Sequence, residues 1–124
     1  MGTVLIVDDE YVVADILGFA LEDEGYTVLK ASNARKGLDI LERDRPSLVI
    51  TDFMMPGMNG AEFARAIRAK SAFAHIPIIL MTGAQGREGR SAPELFTRVY
   101  DKPFDMDIMI AAVADLIPHG DETP

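Results

Sequence analysis

The chain of 124 residues carries a net charge of −8, has no cysteine and is 48% hydrophobic, which is one domain's length with enough apolar content for its own core. The missing cysteine excludes disulfides and thiolate metal sites and fits a reducing, cytoplasmic setting. The acidic balance argues against binding nucleic acid or an anionic membrane, and no apolar run approaches the ~20 residues of a membrane span.

Val4 to Val7 is a short continuous apolar run, suited to a strand buried on both faces. No basic leader precedes it, so it reads as a strand and not as a signal peptide. Asp8-Asp9-Glu10 follows directly. One carboxylate there would cap a helix, but three adjacent ones repel each other, so capping does not account for the cluster. Val13, Ile16, Leu17, Ala20 and Leu21 then recur at helical spacing, predicting an inward face on a helix from Tyr11 to Glu24 that Gly25 stops. Tyr26 to Lys30 reads as a second strand. Asn33 is placed to cap a second helix that turns Ala34, Gly37, Leu38 and Leu41 inward and ends before Pro46.

Leu48 to Thr51 is the third strand, and it ends in a carboxylate, Asp52, ahead of a Pro56-Gly57 turn. Asn59-Gly60-Ala61-Glu62 has the form of a capping box. The helix after it should bury Phe63, Ala64 and Ile67 and end between Ala69 and Ala72. Ile76 to Met81 is the fourth strand, with Pro77 at its start and Thr82-Gly83 at its tip. Ala84 to Thr97 contains Gly86, Gly89 and Pro93 and predicts a short or broken fourth helix, or a loop. Arg98 to Asp101 is the fifth strand, followed by Lys102-Pro103-Phe104. Asp105 caps a last helix that turns Met109, Ala112, Val113, Leu116 and Ile117 inward and stops at Pro118. One domain over 1–118 and a disordered polar tail over 119–124 are expected.

Strands and helices alternate, which predicts a single doubly wound α/β domain: a five-stranded parallel sheet, order 2-1-3-4-5, flavodoxin-like, with helices on both faces. All strand tips then lie along one edge, with the first and third strands adjacent at the switch point. Asp8, Asp9 and Asp52 would converge there, with Thr82 and Lys102 reaching in from the other side. Two carboxylates about 5 Å apart repel by roughly 3 kcal/mol at an effective dielectric of about 20. Such a cluster calls for a cation, and an all-oxygen donor set favours Mg²⁺ completed by phosphoryl oxygens. Lys102 offers a compact positive charge and Thr82 a hydroxyl donor. Asp52 is the carboxylate placed to act as a nucleophile.

The segments Val4–Glu10, Asp52–Gly60, Met81-Thr82-Gly83 and Lys102-Pro103-Phe104 together resemble, in order and spacing, the receiver domains of two-component response regulators, of the chemotaxis-regulator-like kind. The resemblance covers nearly the whole chain. It implies a bacterial cytoplasmic signalling domain, not an enzyme in the ordinary sense, in which Asp52 accepts a phosphoryl group from a histidine kinase or phosphotransfer protein. It implies Mg²⁺ on Asp8, Asp9, Asp52 and the Met54 backbone carbonyl, and Thr82 and Lys102 on the phosphoryl oxygens, with the Lys102–Pro103 bond cis. It implies an unidentified downstream protein target and a monomer or weak dimer.

Two departures from the family pattern stand out. The position three residues before the lysine, commonly Phe or Tyr, is Val99; Tyr100 comes one step later and should face the other side of the sheet. The Gly-rich Ala84–Phe96 suggests switching by an order–disorder change. Met54 and Ala84, two residues after Asp52 and Thr82, carry no group that orients a water, which predicts self-dephosphorylation that is not especially fast. The Met1 start and short tail favour a stand-alone protein. A phosphatase with an Asp nucleophile is disfavoured, because its usual second Asp would stand where Met54 is. A degenerate receiver that only binds a protein partner is the remaining alternative.

Overall fold

The computed structural model describes residues 2–83 and 93–117. Its elements are β1 (Thr3–Val7), α1 (Tyr11–Asp23), β2 (Thr27–Ala31), α2 (Ala34–Asp44), β3 (Leu48–Asp52), α3 (Gly60–Arg68), a 3-10 turn (Ser71–Phe73), β4 (Ile78–Thr82), β5 (Arg98–Asp101) and α4 (Met106–Leu116). Of the stretch 84–97, expected to be a short or broken helix or a loop, residues 84–92 lie outside the described residues and 93–97 form a turn and a bend; the polar tail also lies outside them, and so does most of the segment to which an order–disorder switch is assigned.

The five strands form one parallel sheet in the order β2-β1-β3-β4-β5, so β1 and β3 are neighbours at the switch point. Alternating residues feed two cores. Leu5, Val7, Val49, Ile78 and Leu80 pack against Ala34 and Leu41 of α2 and Phe63 and Ile67 of α3. Val4, Ile6, Leu48, Ile50, Ile79 and Met81 pack against Leu17 and Leu21 of α1 and Met109 and Val113 of α4. Coverage of both faces is why β1 and β3 read as unbroken apolar runs.

The predicted helix boundaries are met by local hydrogen bonding. At the end of α1, the Gly25 N–H donates to the Glu22 carbonyl and the Tyr26 N–H to the Leu21 carbonyl, with Gly25 at φ 100°. This is the double-bonded C-terminal stop that favours glycine. The Asn33 side chain accepts from the Lys36 N–H. Asn59 and Glu62 form the reciprocal capping box, and Asp105 accepts from the N–H groups of Asp107 and Ile108. β2 and β4 begin one and two residues later than expected: Tyr26 is still engaged in the helix stop, and Pro77 has no N–H to give to a ladder.

One expected core face is wrong. Ile16 is 57% exposed, and the buried residues of α1 are Ala14, Leu17, Gly18 and Leu21. The helix is apolar almost all round, so its periodicity leaves the inward face ambiguous by about one residue. Close approach settles it: a Cβ on Gly18 would lie 3.4 Å from Val28 Cγ1 of β2. Leu38 and Leu116 are only partly buried at the edges of their cores. Among the described residues no helix is long and apolar enough to cross a membrane.

Candidate functional site

The register builds the site. Val7 pairs with Thr51, Asp52 with Met81, and Thr82 with Asp101. Asp8 therefore falls level with Asp52, and Thr82 and then Lys102 each stand one residue further along, so Asp8, Asp52, Thr82 and Lys102 line one edge of the sheet. The Lys102 N–H donates to the Thr82 carbonyl at 2.8 Å, which ties the last of them to the ladder. The Lys102–Pro103 bond is cis, in agreement with the family pattern.

Asp8, Asp52 and Thr82 are buried, with exposures of 1%, 5% and 0%. The Asp52 Oδ1 accepts from the Phe53 N–H at 2.9 Å and lies 3.1 Å from the Lys102 ammonium. Asp8 Oδ1 accepts from the Glu10 N–H at 2.9 Å, and Asp8 Oδ2 is 3.5 Å from the same ammonium. Glu10 Oε1 is 3.4 Å from it. Lys102 thus stands among three carboxylates, and one oxygen from each of Asp8, Glu10 and Asp52 lies within 4.8 Å of the others. The hydroxyl of Thr51 donates to the Asp52 carbonyl, which holds the strand tip in place.

Gly60 brings the start of α3 against this tip. Its N–H donates to the Phe53 carbonyl at 2.7 Å, and a Cβ there would sit 2.7 Å from the Asp52 carbonyl oxygen and 2.9 Å from Phe53 Cα. The Pro56-Gly57 turn needs its glycine for a different reason, a φ of +80°.

The electrostatics follow from burial. Desolvation raises the Asp8 carboxyl from 3.8 to about 6, with the charge of Asp52 adding to the rise. Desolvation also raises Asp52, against the opposing charge of Lys102. Burial alone would lower the Lys102 ammonium, but the charges of Asp52 and Asp8 outweigh it and hold it above its ordinary value. Two buried oxygens lack hydrogen bonds within the protein, Asp8 Oδ2 and the Thr82 hydroxyl. A buried polar atom without a partner is costly, and both stand at this edge. Unsatisfied oxygen donors beside clustered carboxylates suit a hard cation such as Mg²⁺ and a phosphoryl group, so the residues fit the expected ligands.

Four of the expected side chains, Asp8, Asp52, Thr82 and Lys102, come together along this edge. Asp9 is exposed and is not among the three clustered carboxylates, although its charge contributes to the rise at Asp52. The Met54 side chain is 60% exposed on the loop past Asp52. In the sequence Glu10 stands out only as part of an acidic run. The signal was that very run: Glu10 is the N-cap residue of α1, yet its side chain makes no capping bond and is left to reach Lys102. Val99 packs in the core beneath α2 and α3, and Tyr100 in the one beneath α1 and α4, on opposite faces as expected.

The response regulator receiver domain model matches residues 4–114. The chain belongs to the response regulator receiver family. The receiver is 36% identical to sporulation initiation phosphotransferase F of Bacillus subtilis, over 93% of each chain. It is 33% identical to the phosphate regulon transcriptional regulatory protein PhoB of Pseudomonas aeruginosa, over 98% of this chain, and there it spans only 56% of the relative's length. Among solved structures, the receiver domain of a signal transduction histidine kinase from Syntrophus aciditrophicus matches at 29% identity and a TM-score of 0.88, covering 100% of this chain and 96% of the other. The chemotaxis protein CheY4 of Vibrio cholerae matches at 28% and 0.87, covering 94% and 99%.

Proposed function

We propose that this receiver accepts a phosphoryl group on Asp52 from a phosphohistidine of a sensor histidine kinase or phosphotransfer protein, and that the change alters a surface read by a downstream protein. The observation that carries this reading is the convergence of a buried carboxylate, a lysine ammonium 3.1 Å from it and an unpartnered buried threonine hydroxyl on one sheet edge. The Phe53 N–H and Lys102 both engage Oδ1 of Asp52, which fixes the carboxylate and leaves Oδ2 to attack. The Oδ2–P bond forms as the P–N bond to the donor imidazole breaks, and the imidazole leaves with the electron pair. Lys102 and the Thr82 hydroxyl then hold the phosphoryl oxygens by charge and hydrogen bonding. Asp8, Asp9 and Asp52 with the Met54 carbonyl would hold Mg²⁺, which supplies neutralisation of the phosphoryl charge when bound.

This chain's own contribution is therefore positioning, and the domain promotes its own phosphorylation and dephosphorylation without acting on a separate substrate. We place the receiver over 1–118, in the cytoplasm, without contact to nucleic acid or membrane, as a monomer or weak dimer. The exposed apolar residues Tyr11, Val12, Ile16 and Phe19 of α1 support docking of the phosphodonor there. Tyr11 shares a groove with Asp8, so a partner seated on this helix would stand at the site's edge. Phosphotransfer from a purified phosphohistidine protein to wild type, and none to Asp52→Ala, is the expected result. Transfer of label to both would remove Asp52 from this role.

A further inference from the structure

We propose that Glu10 is a positioning residue that governs the exchange of the Lys102 ammonium for a divalent cation. The proposal rests on the reading that the site binds such an ion. In the structure Lys102 is itself the cation of the acidic cluster, at 3.5 Å from Asp8, 3.4 Å from Glu10 and 3.1 Å from Asp52. A divalent ion that draws on Asp8 and Asp52 must weaken two of those three contacts. Glu10 differs from the other two carboxylates. Its side chain is 64% exposed, against 0% and 7% for the side chains of Asp8 and Asp52, and it sits at the outer rim.

Glu10 is anchored through its backbone, and its carboxylate is not committed to the helix. Its N–H is bonded to Asp8 Oδ1, and its carboxylate has no capping duty on α1. It therefore offers the ammonium a partner outside the inner pair. With Glu10 present, Lys102 moves outward without becoming an unpaired, half-buried charge, a state that burial disfavours. Without it, Lys102 stays on Asp8 and Asp52 and competes with the entering ion. Asp8 Oδ2, which has no hydrogen bond and only the ion pair to Lys102 at 3.5 Å, is the atom that this outward movement would free for the ion.

The experiment is a Mg²⁺ titration of the unphosphorylated protein followed by backbone amide shifts, on wild type, Glu10→Gln, Glu10→Asp, Lys102→Met and the Glu10→Gln/Lys102→Met double variant. Weakening of Mg²⁺ binding by roughly three- to fivefold in Glu10→Gln is expected, the upper scale of one exposed charge–charge contact, with partial recovery in Glu10→Asp. In the Lys102→Met background the same change should alter the affinity by less than about twofold, because the competitor is gone. Unchanged affinity in Glu10→Gln overturns the proposal. An equal loss in both backgrounds also overturns it, since Glu10 would then act on the ion directly. No Mg²⁺ binding by wild type would remove the ion-site reading and this proposal with it.

Discussion

At Asp8 the site and the fold are in conflict. Burial raises its carboxyl from 3.8 to about 6, so the folded chain holds this proton more tightly than the unfolded one. On this group's account, stability without divalent ion rises as the pH falls from 7 through 6 and levels off near 4, by at most about 3 kcal/mol. Asp52, also raised, acts in the same direction. Urea midpoints of metal-free protein should therefore be higher at pH 5.5 than at pH 7.5. Asp8→Asn should raise the midpoint at pH 7.5 and flatten this dependence, while weakening Mg²⁺ binding. A wild-type midpoint that falls between pH 7.5 and 5.5 while that of Asp8→Asn holds steady would contradict the assignment of cost to Asp8. At Met54, exposed two residues past Asp52, a thioether has no hydrogen atom to donate to an attacking water and accepts only weakly. Replacement by Asn should shorten the lifetime of the acyl phosphate several-fold, and replacement by Ala should leave it nearly unchanged. The lifetimes are read from loss of label, and shortening by Ala alone would count against a water-orienting role at this position.

At the scale of elements, α3 and α1 make separate contributions. The start of α3 packs on the tip of β3 through Gly60, where a Cβ would meet the Asp52 carbonyl oxygen at 2.7 Å. This oxygen and Phe53 Cα, at 2.9 Å, are backbone atoms that cannot swing aside, so Gly60→Ala should cost about 1–3 kcal/mol in denaturant unfolding and reduce phosphorylation with it. Wild-type stability in that variant would mean the loop yields freely. The apolar stripe of α1 is solvent-exposed, so Ile16→Glu should change stability by no more than about 0.5 kcal/mol and leave labelling by a small-molecule phosphodonor intact. Transfer from a phosphohistidine protein should drop about tenfold, roughly 1.4 kcal/mol in the encounter. Equal transfer would place the docking face elsewhere. These two helices also show what the sequence could and could not convey. The capping box of Asn59 and Glu62, the stop at Gly25 and the Asp105 cap were legible because each is a short-range hydrogen-bond pattern. The inward face of α1 was not, because Val12, Ile16 and Phe19 supply as apolar a face as Ala14, Leu17 and Leu21, and only packing on β2 and α4 separates them. The reach of Glu10 to Lys102, residues far apart in the chain, depends on tertiary placement for the same reason.

On the scale of the whole molecule, the parallel sheet is a device for collecting strand tips. The order β2-β1-β3-β4-β5 and its register put two buried carboxylates, a buried hydroxyl and an ammonium on one edge, while both faces are sealed by apolar packing. The sequence betrayed this edge because each apolar run breaks off in a polar residue of the right type, which core formation alone would not require. The role of Asp52 as phosphoryl acceptor is decided by the intact mass of the protein after exposure to a small-molecule phosphodonor, with and without Mg²⁺, for wild type and Asp52→Ala. One added phosphoryl group that depends on Mg²⁺ is expected on wild type, and none on the variant. No addition to wild type, or an equal addition to Asp52→Ala, would contradict that role.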